Sequence, residues 1–130
     1  MTRFFIICAG GFLGTGARYW VNGLVARAFG ETFPLGTMTV NVVGSFLIGV
    51  IFVVTGTDSP WIVSATTRQF LMVGIMGGFT TFSSFSLQTL TLVRDGELGY
   101  AVGNIILSVV LSLTAAWAGA TLIERLWLAP

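Results

Sequence analysis

The sequence predicts an all-α membrane protein of four transmembrane helices, the third of them broken, with a charge balance that would allow an antiparallel homodimer. Three observations predict it. Charged residues make up only 8% of the 130 positions and hydrophobic ones 55%, where a soluble domain carries about 25% charged residues. Nothing charged lies from Thr32 to Thr57, from Gln69 to Val93 or from Leu98 to Ile123, and each interval exceeds the ~20 residues that cross a bilayer core. The six arginines divide almost evenly between the two faces that four crossings create.

The first span runs from Phe4 to Phe29, interrupted only by Arg18 and Arg27. A cleaved secretory signal is the other reading of this segment, because Arg3 precedes the apolar FFIICAGGFLGTGA. The glycines at 10, 11, 14 and 16 weaken a signal core, whereas Gly10-x-x-x-Gly14 sets two bare backbone patches on one helix face for close packing. The connections are short: Arg27 to Pro34, then Thr55 to Arg68 with Gly56 and Pro60, then Arg94-Asp95-Gly96-Glu97. Residues 1–130 therefore form a single four-helix domain without a linker. Tyr19, Trp20, Trp61, Tyr100 and Trp127 fall near segment ends, where amphipathic rings prefer the headgroup layer.

Four crossings place the N-terminus, the second loop and the C-terminus on one side, with Arg3, Arg68 and Arg125. The other side has Arg27 and Arg94, joined by Arg18 if it snorkels. That balance leaves the positive-inside rule without a winner. Insertion in both orientations, and hence an antiparallel dimer, is one reading; a weakly biased chain oriented by cellular machinery is the other.

Each polar side chain within a span needs a partner in hydrocarbon. Gly10, Gly14 and Arg18 share a face at i, i+4 and i+8, setting a charge beside a packing seam; Arg18 either snorkels or makes an approach electropositive. Asn41 either donates to an anion or glues two helices. Asn104, Ser108 and Ser112 make a polar stripe on an apolar rod, although serines also back-bond to their own helix. The segment GGFTTFSSFS (77–86) is the strongest of these signals. Glycine costs about 1 kcal/mol relative to alanine in a helix interior, and the threonine hydroxyls compete for backbone hydrogen bonds. A break is expected here, and carbonyl oxygens freed at membrane depth suit a hard cation such as Na⁺. Phe82 and Phe85, three residues apart, either pack or turn the positive ring edge toward an anion.

Some chemistries are excluded outright. Histidine is absent, the one cysteine, Cys8, reads as a small buried apolar residue, and the net charge of +1 offers no nucleic-acid footprint. An enzyme is disfavoured because no serine has a candidate base within the spans.

GGFLGTGAR (10–18), GTMTVNVVGSFLIG (36–49) and GIMGGFTTFSSFS (74–86), in that order and spacing, resemble the Fluc/CrcB family of small fluoride channels over essentially the whole chain. The resemblance implies a dual-topology homodimer in a bacterial-type inner membrane, with two antiparallel pores that export fluoride passively and protect against its toxicity. It further implies that the main-chain carbonyls of Gly77 and Thr80 hold a structural Na⁺ at the dimer interface. Phe82 and Phe85 would line the pores, Asn41 would donate to fluoride, Ser108 and Ser112 would form a polar track, and Arg18 would sit at an electropositive vestibule. Gln88 would also belong to the fluoride pore, as a neutral amide beside the anion path; it departs from the pattern, which commonly has Glu at that position, so a role needing a movable negative charge there is in doubt. The alternative is a small dual-topology coupled exporter of the multidrug-resistance type. Proton coupling needs an intramembrane carboxylate, and Glu31, Asp58, Asp95, Glu97 and Glu124 all lie at segment ends. A non-conducting assembly subunit explains the glycines but not the amide, hydroxyl stripe and paired phenylalanines.

Overall fold

Four helical spans, each long and apolar enough to cross a membrane, make up the computed structural model, which describes residues 1–30, 32–57 and 59–128. Glu31 and Asp58, expected at span ends, lie outside the described residues. Helix α1 covers Thr2–Phe29 and α2 covers Leu35–Val54. The third span, Ala65–Arg94, begins with α3 (65–79), whose middle stretch Phe70–Met76 is wound in wide π turns, so that Gly77 N–H donates to Met72 O. Helix α4 (Phe82–Arg94) completes that span, and α5 (Leu98–Ile123), continued by the π-wound Glu124–Leu128, forms the fourth, Leu98–Trp127.

Backbone-to-backbone seams hold the spans together. Helix α1 packs on α3 and α2 packs mainly on α5. A Cβ at Gly14 would collide with the Ile75 carbonyl oxygen, and one at Gly49 would collide with that of Ala116. Small residues are what let helices approach so closely in lipid, where burial of apolar surface supplies no drive between them. Gly10 and Gly14 are buried in the first seam. Cys8 is a correction to the expectation of burial, since it is exposed. Two residues before Gly10, at ~100° per residue, it points away from the seam.

Aromatic pairs tie the ends. Trp61 in the second loop meets Trp127 near the C-terminus edge-to-face at 4.4 Å between centroids. At the opposite end, Phe33 meets Tyr100 at 6.0 Å. The two contacts join the ends that an up-down order of four crossings brings together.

Candidate functional site

Thr80 (φ −85°, ψ 160°) and Thr81 (φ −154°, ψ 113°) are extended between α3 and α4. Within the glycine-threonine stretch where a break is expected, Gly77 and Gly78 remain helical. Their smallness is used for packing instead: a Cβ at Gly78 would lie 2.6 Å from Gly11 O. Thr81 starts the next helix as its N-cap, its hydroxyl accepting from Ser84 N–H at 3.2 Å.

Extended residues in a span leave peptide groups unpaired, and two side chains meet them. Asn41 Nδ2 donates to Thr81 O at 3.0 Å while its Oδ1 accepts from Thr81 N–H at 2.7 Å. Its amide thus pairs with the Thr81 peptide as one strand residue pairs with another. One amide hydrogen of Asn41 remains uncommitted by this pairing. Arg18 Nη1 donates to Thr80 O at 3.1 Å. Its head is therefore turned inward rather than snorkelling, one turn beyond the buried Gly10 and Gly14 on the same face of α1.

Beside this crossing lies a cavity of about 350 Å³. It is lined by Asn41, Ser45, Thr80, Thr81, Phe82, Phe85, Ser108 and Ser112 together with apolar residues of α2 and α5. Five of the residues expected from sequence thus come together: Asn41, Phe82, Phe85, Ser108 and Ser112. The two rings stand 5.2 Å apart at 50°. Phe85 is 8% exposed and Phe82 is 77% exposed, so the second ring is open on one side of a single chain.

Ser108 is placed differently from a free donor. Its hydroxyl donates to Asn104 Oδ1 at 3.1 Å, Asn104 Nδ2 donates to Thr89 Oγ1 at 2.8 Å, and Thr89 donates to Phe85 O at 2.8 Å. Ser108 must turn away from Asn104 before it can give a proton to anything in the cavity. Ser112, one turn further, lines the cavity outside that chain of bonds.

Gln88 and Arg18 do not line this cavity. Gln88 borders a second hollow of about 520 Å³ with Tyr19, Asn22 and Thr37, and its Oε1 is buried without a partner. Gly77 and Thr80 fit a hard cation by donor type, with one complication. The Gly77 carbonyl loses its helical partner because Thr81 N–H turns to Asn41. The Thr80 oxygen keeps one lone pair for an ion but shares the other with the Arg18 guanidinium. No group of three or more His, Cys, Asp or Glu is placed to hold a metal among the described residues.

A family model described as CrcB-like protein, Camphor Resistance (CrcB), matches residues 5–120. The chain belongs to the CrcB family. A relative from Opitutus terrae is 54% identical over 119 residues, covering 92% of this chain and 90% of its own. One from Rhodospirillum rubrum is 50% identical, covering 92% of both chains, and one from Anaeromyxobacter sp. (strain K) is 48% identical over 129 residues, 99% of both. All three are named fluoride-specific ion channel FluC. The matched stretch of this CrcB protein contains both hollows described above.

Three site features escaped the reading of the sequence. Thr81 was legible as an N-cap from Thr81-Phe-Ser-Ser84, the residue type and spacing that cap a helix. Asn22 carries the same signal as Asn41, an amide within an apolar span. The Asn104–Thr89 contact joins two helices and has no local sequence signal.

Proposed function

We propose that this protein is a fluoride-selective ion channel of the plasma membrane, the inner membrane of a cell with two. It lets fluoride leave the cytoplasm down its electrochemical gradient and so protects against fluoride toxicity. The observation that carries the reading is the first cavity, in which the Asn41 amide and serine hydroxyls meet two phenyl rings inside an apolar bundle. The relatives named fluoride-specific ion channels, similar over 92–99% of this chain, add to it.

Fluoride is small and strongly hydrated, so a narrow apolar path must replace its water with donors. Asn41 has a spare N–H, Ser112 a hydroxyl, and Phe82 and Phe85 offer positive ring edges. Passive conduction suffices. Hydrogen fluoride enters uncharged and dissociates, and a negative potential drives the anion out by about 2.3 kcal/mol per charge at 100 mV. The coupled exporter is disfavoured because Asp95 and Glu97 lie between helices and Glu124 sits at the end of the fourth span, Leu98–Trp127, away from its middle.

The assembly we propose is an antiparallel homodimer. Phe82, open in one chain, would be covered by a second copy, which completes the pore wall. A Na⁺ at the interface would be held by the Gly77 and Thr80 carbonyls of both copies, where it would offset the partial negative charge of oxygens brought together. The chain then acts as one domain per protomer.

Fluoride efflux from potassium-loaded liposomes, started with valinomycin and read by electrode, tests the proposal. Fluoride release without chloride release is the expected outcome. Equal chloride release, or none of either, sinks it.

A further inference from the structure

Gly44 sits inside α2, where glycine costs about 1 kcal/mol relative to alanine. It is buried, yet it does not serve a backbone seam as Gly14 and Gly49 do. A Cβ at Gly44 would meet side chains alone: it would collide with Thr80 Cγ2 and lie 3.1 Å from Phe79 Cδ1. The bare surface of α2 at this point is a seat for one methyl group, that of Thr80.

Threonine at position 80 uses its two Cβ substituents on different helices. Its hydroxyl donates to Met76 O at 3.0 Å, and its N–H donates to the same oxygen at 2.9 Å. The hydroxyl bond fixes χ1, a torsion that β-branching already makes stiff, and the methyl direction then follows from the configuration at Cβ. It points to Gly44. The peptide that follows is held from its other side. Thr81 N–H donates to Asn41 Oδ1 at 2.7 Å. Because C=O and N–H of a trans peptide point in opposite directions, the Thr80 carbonyl is aimed away from Asn41, and Arg18 Nη1 meets it at 3.1 Å. Gly44 lies three residues after Asn41, close enough on a helix to share a face. One face of α2 thus governs the Thr80 carbonyl from both sides, through the side chain before it and the N–H after it.

We propose that Gly44 is a positioning residue: it seats the Thr80 methyl group and so fixes the direction of the Thr80 carbonyl, the oxygen that Arg18 binds and that the interfacial cation would share. Only that last clause rests on the cation reading, to which the inference adds a residue acting through Thr80. Alanine at position 44 occupies the seat, so the Thr80 side chain must turn, its bond to Met76 O gives way, and the carbonyl swings from Arg18. Serine at position 80 has the opposite fault, an intact hydroxyl beside an empty seat. Together, the alanine methyl fills the space that serine leaves. Each substitution alone therefore disturbs the carbonyl, and the pair recovers it, which is the mark of two residues acting on one contact. The approach to Phe79 Cδ1 is common to Gly44→Ala with and without Thr80→Ser, so comparing the two isolates the methyl.

The test uses the purified, ¹⁵N-labelled full chain and reads two quantities. One is the set of Arg18 side-chain N–H signals, recorded without sodium or fluoride; the other is the Na⁺ concentration that gives half of the maximal dimer fraction. Gly44→Ala and Thr80→Ser should each shift the Arg18 signals and raise the Na⁺ midpoint about tenfold, the scale of one lost hydrogen bond to a charge. The double variant should return both to the values of the unsubstituted protein. A seat that matters for packing alone would lower the melting temperature of Gly44→Ala and leave the Arg18 signals in place, which overturns the inference. So do signals that shift in the single variants and do not recover in the double. If Gly44→Ala fails to fold, Thr80→Ser decides, since it introduces no clash: Arg18 signals unmoved by it overturn the seat. A dimer fraction indifferent to Na⁺ in the unsubstituted protein removes the cation, and the Arg18 signals still decide on Gly44.

Discussion

Asn41 keeps one amide hydrogen beyond its pairing with Thr81, because an amide has more hydrogen-bonding capacity than the Thr81 peptide consumes. Asn41→Asp keeps an acceptor for Thr81 N–H but sets oxygen against Thr81 O and adds a charge in a poorly screened place. We expect fluoride efflux from liposomes to fall at least about tenfold, the scale of a hydrogen bond lost to a charged group. The phenyl pair separates electrostatics from packing. Phe82→Ile, at an exposed position, should leave the melting temperature nearly unchanged, while Phe85→Ile, at a buried one, should lower it. Both should slow fluoride efflux, because each removes a ring edge. Undiminished efflux from both, in folded protein, would remove the rings from the pore lining. Ser108→Ala leaves Asn104 Oδ1 without its donor in a residue only 1% exposed, so stability should drop by about 1–3 kcal/mol in a detergent unfolding assay.

Helices in this protein meet through glycine, so the seams should respond to a methyl group by position. Gly49→Ala drives a Cβ into the Ala116 carbonyl and Gly14→Ala drives one into that of Ile75, whereas Gly16 has nothing within 4 Å. Overpacking of this kind costs about 1–3 kcal/mol. Thermal unfolding in detergent should rank Gly16→Ala with the unsubstituted protein and both seam variants well below it. The third span carries its own sensitivity at Thr81. Valine keeps the shape but removes the hydroxyl that caps α4, at a cost of about 1 kcal/mol.

At the scale of the whole molecule, the near-even arginines motivate the proposal that the chain inserts in both orientations. Thr57→Cys in the second loop, in a background with the exposed Cys8 replaced, should label from both sides of intact cells. Labelling from one face alone removes dual topology. The interfacial cation is tested by exchanging Na⁺ for N-methylglucamine during reconstitution, which should reduce both efflux and the dimer fraction. Indifference to every small cation would leave the Gly77 and Thr80 carbonyls without that role.

Composition, apolar patterning and charge spacing were enough to predict four helices long and apolar enough to cross a membrane, because the cost of burying charge in hydrocarbon is a property of residues and needs no neighbours. The motif that places it in the CrcB family is likewise local in sequence. The order Asn41, Phe82, Phe85, Ser112 could be picked out, since amides, hydroxyls and paired rings are conspicuous against an apolar background. What each one does there was decided only by the tertiary structure. Asn41 is 40 residues from the peptide it pairs with, Arg18 is 62 from the carbonyl it reaches, and Asn104 is 15 from Thr89. Hydrogen bonds are satisfied in space and not along the chain, so which donors remain free for an ion depends on how the helices cross. The same holds within the glycine-threonine stretch of the third span: Gly77 and Gly78 stay helical and lie close against Gly11, while Thr80 and Thr81 are the extended residues, a division that residue types alone do not make.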